Sequence, residues 1–119
     1  MSNRASAAAN RESYRVTRTV IAGSTAETVI RAAEHPHSYS DLVRILITNK
    51  SATAEVVTIR DVTGSASGAD FAVPAGQTVG VSGPATAAWP QLTPGASWTA
   101  QCTNGVTSIV IHAVWIANN

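Results

Sequence analysis

Three histidines and one cysteine are the side chains of this 119-residue chain best suited to metal binding or nucleophilic chemistry. His35 and His37 flank Pro36, which puts two imidazoles two residues apart in a predicted loop. A zinc site needs three or four ligands held by further hydrogen bonds, and no Cys-x-x-Cys or His-Glu-x-x-His spacing supplies them. We therefore interpret this stretch as a polar loop with a proline corner, and we expect no metal.

The patterns that accompany enzymatic catalysis are also missing from the sequence. A serine or cysteine nucleophile needs a base and a group that orients the base, and no Gly-x-Ser-x-Gly turn is present. Arg60 and Asp61 are adjacent on a predicted strand, so their side chains point to opposite faces. We interpret them, with Asp70, as salt-bridge or loop residues. The glycines occur in separate turns and form no phosphate-binding loop. We predict that the protein is not an enzyme and needs no cofactor.

The cysteine and the tryptophans are better explained by packing. Cys102 is the only cysteine, so it cannot form a disulfide within the chain, and we interpret it as a small buried residue. Trp98 and Trp115 belong to a predicted core face. Trp89 precedes Pro90 in an irregular segment, where we expect it to be the most exposed of the three. An exposed tryptophan can anchor a protein contact or stack on a sugar, and for Trp89 we favour packing in the core or at a subunit interface.

The C-terminal stretch carries the strongest local structural signal. Asn104-Gly105 is a preferred sequence for a type I′ hairpin turn, because both central residues of that turn need positive φ. The signal predicts that a strand at 98–103 pairs with a strand at 106–116, with Trp98 opposite Ile111. The core face of this hairpin then extends to Trp115.

The second strand of the predicted hairpin is apolar on both faces. Its other face carries Val110, His112, Val114 and Ile116. A sheet surface that faces water has polar side chains on that side, so a second sheet, the N-terminus or another copy of the chain must cover this one. We predict that these four residues, together with Trp89, form an interface.

Positive charge is concentrated near the N-terminus. The first 18 residues contain Arg4, Arg11, Arg15 and Arg18 against Glu12, a net charge of +3, and the remainder has four cations against six acids, a net charge of −2. Residues 1–13 are small and polar, which predicts a flexible basic arm. Such an arm can bind an acidic protein surface or nucleic acid, or remain a solvated tail. Because the body has no second basic patch, nucleic acid is disfavoured, and we predict that the four arginines bind a protein.

Composition and turn spacing define the fold class. Charged residues make up 13% of the chain, about half the usual share, whereas Ala, Ser and Thr make up about two-fifths. Short runs rich in Val, Ile and Thr recur between turn signals at intervals of roughly 8 to 12 residues, without helical periodicity. The turn signals include a predicted type I turn at 73–76 and a type II turn at 93–96. We predict an all-β, jelly-roll-like β-sandwich of about eight short antiparallel strands, with a single domain at 14–119 that follows the extended N-terminal arm.

One predicted strand is buried on both sides. It covers residues 42–48, and its alternation places Val43, Ile45 and Ile47 on one face, with Leu42 and Leu46 on the other beside Arg44. No stretch approaches the ~20 apolar residues of a membrane span, and the N-terminus has no apolar signal core. We therefore expect synthesis in a cytoplasm and no membrane partner.

Several stretches together resemble the small β-sandwich virion proteins of tailed bacteriophages, especially capsid decoration, or cement, proteins. The resemblance covers about residues 20 to 117 and is carried by 20–23, 43–49, 73–79, 92–98 and the terminal strand rich in Val and Ile. It implies a structural protein made in the host cytoplasm and located in the virion. Its implied partners are the major capsid protein or other virion proteins, and it implies a homo-oligomer, with a trimer favoured over a dimer. The alternatives are a tail, connector or fibre module, or a carbohydrate- or receptor-binding β-sandwich.

Overall fold

The computed structural model describes residues 14–21, 25–82, 89–104 and 108–118, and its eight strands confirm the predicted all-β fold. The strands are β1 (Tyr14–Val20), β2 (Thr28–Arg31), β3 (Tyr39–Asn49), β4 (Glu55–Arg60), β5 (Ala69–Val73), β6 (Thr78–Ser82), β7 (Trp98–Cys102) and β8 (Ile109–Asn118). No helix long and apolar enough to cross a bilayer occurs in these ranges. The predicted arm at 1–13 lies outside the described residues.

The strands form two four-stranded sheets that pack against each other. Sheet 1 has the order β1-β8-β3-β6, and sheet 2 has the order β2-β7-β4-β5. The antiparallel pairs β1–β8, β2–β7, β3–β6 and β4–β5 make one long double-stranded ribbon, which rolls up so that β8 meets β3 and β7 meets β4. This is the strand order of an eight-stranded jelly roll, so the predicted sandwich is confirmed.

The predicted C-terminal hairpin is wrong. β7 pairs with β2 and β4 in sheet 2, whereas β8 pairs with β1 and β3 in sheet 1. In the rolled ribbon, most strands that are consecutive in sequence lie in different sheets. Among the described strands, β4 and β5 are the exception, since they are consecutive and pair with each other. Asn104 has no positive φ, and its side-chain amide instead donates a hydrogen bond to the Glu55 carboxylate, at 3.0 Å. Trp98 and Ile111 therefore reach the same core from opposite sheets.

A β-bulge in β3 changes which side chains enter the core. The register of β3 against β8 shifts between Leu42 and Arg44. The extra residue brings Leu42 to the same side as Ile45 and Ile47, all three of which are buried, while Arg44 is exposed. The predicted placement of Leu42 beside Leu46 is wrong because a strict period of two does not anticipate a bulge.

One of the two predicted turns is confirmed in its backbone conformation, and the other is shifted. Gly95 has a φ of 71°, as expected for the third position of a type II turn. In the other turn, the Gln77 N–H donates to the Pro74 carbonyl at 3.1 Å, and Gly76 also has a φ of 71°. The turn thus begins one residue later than predicted, and its positive φ excludes type I.

The core lies between the two sheets around Trp98 and Trp115, whose ring centroids are 5.0 Å apart. Both indole N–H groups have acceptors: the Ser40 carbonyl lies 2.7 Å from that of Trp98, and the Thr17 hydroxyl lies 2.9 Å from that of Trp115. Cys102 is buried, as predicted. Each large apolar side chain that is fully buried contributes roughly 1.5–3 kcal/mol, so the inward sheet faces supply the main driving force for folding.

Candidate functional site

The outward side of sheet 1 presents an apolar surface that is built by strand pairing in the described residues. Register places four residues of β1 beside four of β8 and four of β3. We call this surface the outer face; it consists of Tyr14, Val16, Arg18, Val20, Val110, His112, Val114, Ile116, Asp41, Arg44, Leu46 and Thr48. The side chains between them, such as Ile111 and Trp115, point into the core. Period-two alternation on three neighbouring strands therefore collects these residues on one side.

The outer face is partly open to solvent. Val16 is 76% exposed, Val20 49% and Tyr14 37%, whereas Val110 is buried. Val114 and Ile116 are partly buried, and His112 is exposed. A groove of about 440 Å³ crosses the middle of the face between Val16, Leu46 and Val114. No described element packs over this side of the sheet, so of the three predicted covers the second sheet does not lie there. The N-terminus at 1–13 lies outside the described residues, and cover by another copy remains a prediction.

The cations of the outer face lie along the same groove. Arg18 is directly opposite His112 across β1 and β8, and His112 is opposite Leu46 on β3. Arg44 lies one row further along, opposite Val114. Arg18, Arg44 and His112 all line the groove. The site thus combines apolar contact area with two guanidinium groups, an arrangement suited to binding a protein surface.

The predicted arm arginines divide into two groups. Arg4 and Arg11 lie outside the described residues. Arg15 and Arg18 are not part of an arm, because both lie in β1 and pair through it with β8. Arg15 faces the other side of β1 from Arg18, and its guanidinium forms an ion pair with Glu34 at 3.0 Å. That Arg15 and Arg18 bind a partner remains a prediction.

Trp89 does not lie on the outer face. Its backbone N–H donates to the Leu42 carbonyl at 2.7 Å, and the Leu42 N–H donates back at 2.9 Å. Its ring meets that of Trp98 edge to face, with centroids 4.9 Å apart. Trp89 is more exposed than the other two tryptophans, as predicted, but it is partly buried and packs against the core. It therefore forms no continuous surface with His112.

The loop that carries His35, Pro36 and His37, here called the histidine loop, is polar, as the sequence predicts. His35 and His37 are exposed, and the His37 N–H donates to Nδ1 of His35 at 3.3 Å. The Ser38 hydroxyl donates to the His35 carbonyl at 2.9 Å. Across the described ranges, no three His, Cys, Asp or Glu side chains come close enough together to hold a metal ion.

A buried thiol and a buried carboxyl meet at the end of β4 and β7. The Cys102 thiol lies 3.5 Å from the Glu55 carboxylate, which also accepts the hydrogen bond from Asn104. The other oxygen of Glu55, Oε1, has no hydrogen-bond partner in the described structure. Cys102 is 1% exposed and Glu55 is 3% exposed, so this pair packs the end of the sandwich and is closed to a substrate.

Two glutamates anchor the ends of strands through hydrogen bonds and ion pairs. Glu27 accepts hydrogen bonds from the Gly64 N–H at 3.0 Å and the Thr99 hydroxyl at 2.8 Å, and it lies 3.6 Å from Arg60. The Gly64 bond, then the Thr99 bond, hold the pKa of Glu27 below its usual 4.5, against the opposing effect of burial. The ion pair confirms the interpretation of Arg60 as a salt-bridge residue.

The second anchoring glutamate, Glu34, lies between two arginines. It contacts Arg15 at 3.0 Å and Arg31 at 3.3 Å. Burial raises the pKa of Glu34, but the hydrogen bonds and charges of Arg15 and Arg31 together outweigh burial and hold it below 4.5. The guanidinium group of Arg15 thus has an acidic partner within the chain.

Several residues of the outer face were not identified as site residues from the sequence. Tyr14, Val16 and Val20 alternate visibly along β1, and Leu46 with Arg44 alternates along β3. The signal was present in each strand separately. What the sequence did not show is that β1 and β3 lie on either side of β8, since Tyr14 pairs with Ile116 across almost the whole chain.

Comparisons with known proteins give a fold likeness alone. No protein-family model matches the chain, and no curated protein matches it. Among solved structures, the chain is similar to the cryo-EM structure of the virus-like particle of extra small virus from the giant freshwater prawn Macrobrachium rosenbergii. The identity is 11%, the match covers 87% of this chain and 77% of that chain, and the TM-score is 0.49. At this level of similarity, a shared function does not follow.

Proposed function

We propose that the protein is a non-enzymatic structural protein of a virion. In its specific form, the proposal is a decoration, or cement, protein that binds the outside of a bacteriophage capsid and stabilises contacts between coat subunits. The observation that carries the proposal is the apolar outer face of sheet 1, with Val16 76% exposed and no described element over it. A surface of this kind is most stable when a partner buries it.

The area of the outer face limits the binding free energy of a single contact. Three strands about 4.8 Å apart, over a length of about 20 Å, present on the order of 300 Å². At ~25 cal/mol per Å², full burial of this side contributes at most about 7 kcal/mol, which is within the association cost of ~4–15 kcal/mol. A single contact is therefore marginal, whereas several linked copies on a shell reinforce one another. This supports a homo-oligomer bound to the major capsid protein, and the resemblance to decoration proteins is the reason for proposing a trimer over a dimer.

A second candidate is a subunit of the shell itself. The observation that favours it is the strand order, because the eight-stranded jelly roll recurs in viral capsid domains. The same architecture also occurs in lectins, so the argument is an analogy at the level of fold. The edge-to-face packing of Trp89 on Trp98 gives less support to the sugar-binding alternative. In both virion candidates, the protein is made in the host cytoplasm and ends up in the particle.

Electron microscopy and gradient sedimentation separate the two candidates. The purified chain is examined alone and then mixed with capsids assembled from the coat protein of the same genome. A decoration protein stays a small oligomer alone and sediments with the capsids, whereas a shell subunit forms closed particles by itself. A chain that does neither contradicts both candidates.

A matched pair of variants tests the role of the outer face. Val16→Ser changes the outer face of sheet 1, and Val29→Ser changes a valine that is 50% exposed on sheet 2. Burying a valine is worth roughly 2 kcal/mol, so losing a side chain with three-quarters of its surface available weakens capsid binding about tenfold. We expect Val29→Ser to bind within about twofold of the unaltered protein. Equal binding by the two variants would show that the outer face is not the contact.

A further inference from the structure

Two arginines on the outer face have no acidic partner within the described structure. The ion pairs found there involve Arg15, Arg31 and Arg60, and neither Arg18 nor Arg44 takes part. Both side chains are exposed, and both line the central groove with His112. The described acid on this side of the sheet is Asp41, opposite Ile116, and its carboxylate accepts hydrogen bonds from the Gln91 N–H and the Asn118 side-chain amide. No aspartate or glutamate lines the groove itself. The groove is therefore apolar and uniformly basic in its described lining.

Strand geometry determines the distance between the Cα atoms of the two arginines. Arg18 on β1 and Leu46 on β3 stand in one row across β8, and Arg44 is two residues from Leu46. With strands about 4.8 Å apart and a rise of about 3.4 Å per residue, the Cα atoms of Arg18 and Arg44 are about 12 Å apart. The two arginines thus stand at diagonally opposite corners of the groove, with His112 and Val114 on the strand between them.

Covering this face without neutralising the arginines is costly. A guanidinium group that leaves water needs hydrogen-bonding and charge partners, and an unpaired buried charge opposes association. Carboxylates are the natural partners, because the planar fork of arginine binds them through two parallel hydrogen bonds. The chemistry of the outer face therefore requires an acidic contact surface as well as an apolar one.

Charge also argues against two possible occupants of the outer face, namely the same face of a second copy and the N-terminal segment of the chain. A two-fold contact between two outer faces would bring together two copies of Arg18, Arg44 and His112, since such an interface is self-complementary. Residues 1–13 carry Arg4 and Arg11 against Glu12, so their net charge has the same sign as the groove. The Asp41 carboxylate of a second outer face already accepts hydrogen bonds from Gln91 and Asn118, and the N-terminal segment is net positive. Neither therefore supplies the missing negative charge.

We infer that the outer face docks the surface of a different protein, which is apolar and bears carboxylates that pair with Arg18 and Arg44. The inference rests on the proposed function in taking the outer face as the docking surface, and it adds the chemistry of the partner. A protein partner is favoured over nucleic acid because Tyr14, Val16 and Val20 expose apolar area on the same face as the cations. Phosphate-binding surfaces carry denser positive charge.

Charge-reversal variants test the inference on the full chain. The variants are Arg18→Glu with Arg44→Glu, Arg18→Gln with Arg44→Gln, and the control Lys50→Glu, which alters an exposed cation outside the outer face. The probes are a random copolymer of glutamate and tyrosine, which is acidic and apolar, polyglutamate, and an oligothymidylate. Isothermal titration measures affinity, and backbone amide chemical shifts locate the bound surface.

We expect the unaltered protein to bind the copolymer more tightly than polyglutamate, with shifts confined to β1, β8 and β3. The double glutamate variant should lose at least tenfold in affinity and the double glutamine variant several-fold, while Lys50→Glu stays within twofold. Unchanged binding by the double glutamate variant, no binding of the copolymer by the unaltered protein, or tighter binding of the oligothymidylate at the same strands would each overturn the inference.

The capsid assay keeps this inference separate from the proposed function. If Val16→Ser loses capsid binding and the double glutamate variant does not, the outer face is the contact and the acidic partner is wrong. If neither variant changes sedimentation with capsids while the copolymer results hold, the groove binds acidic proteins but the outer face is not the capsid contact. If the unaltered protein does not sediment with capsids while the copolymer results hold, the inference stands and the decoration role is wrong.

Discussion

Substitution of Gly95 by alanine should destabilise the protein through two separable effects. Gly95 has a φ of 71°, and its N–H donates to the Ser38 carbonyl at 2.8 Å. An added Cβ would lie 2.6 Å from the carbonyl oxygen of Pro36, which is main chain and cannot rotate away. The turn at Pro94-Gly95 therefore packs against the histidine loop only if residue 95 has no side chain.

A second glycine of the same conformation provides the control. Gly76 also has a φ of 71°, and an added Cβ there meets nothing within 4 Å. Gly76→Ala thus measures backbone strain alone, about 1 kcal/mol. Gly95→Ala adds an overpacking cost of about 2 kcal/mol, for a total of about 3 kcal/mol.

Thermal unfolding followed by circular dichroism reads out the difference. For a domain of this size, about 1 kcal/mol shifts Tm by roughly 4 °C. We expect Tm to fall by about 4 °C in Gly76→Ala and by about 12 °C in Gly95→Ala. Equal shifts in the two variants would refute the contact with Pro36, and the packing of the turn on the histidine loop would then be wrong.

The remaining predictions concern acid stability and thiol access. Because the folded-state pKa values of Glu27 and Glu34 are lowered, both carboxylates stabilise the fold above pH 4.5, and this stability is lost as pH falls through the lowered values. Urea unfolding at pH 7 and pH 3.5 should show a smaller difference in Glu34→Gln than in the unaltered protein, and an unchanged difference would contradict the assignment. Since Cys102 is 1% exposed, a thiol reagent should modify it only at the rate of unfolding. Rapid modification without denaturant would contradict its burial.

Local patterns were sufficient to predict the strands and most of the core. Trp98, Ala100 and Cys102 alternate on β7, and Ile109, Ile111, Ala113 and Trp115 alternate on β8; all seven are buried. These side chains are inside whether β7 and β8 pair with each other or face each other across a sandwich. The inward faces of β7 and β8 were therefore predicted correctly, although the predicted pairing of these two strands was wrong.

Site prediction depended on which strands lie side by side. Val114 and Ile116 were identified from the sequence because β8 is apolar on both faces. Val16, Arg18 and Arg44 join them only because β1 and β3 flank β8. Separations of about 70 to 100 residues between these strands leave no local signal, and the strongest local signal, Asn104-Gly105, favoured the wrong partner.

The sequence by itself determined the secondary structure, the inward faces of most strands and the low charge of the surface. These depend on the two-residue period of a strand and on turn residues, which act over a few positions. Only the tertiary structure decided the partners of each strand, the bulge at Leu42 and the gathering of Arg18, Arg44 and His112 around one groove. The physical reason is that alternation specifies the face of a side chain and not its neighbour, which long-range pairing and packing of the rolled ribbon select.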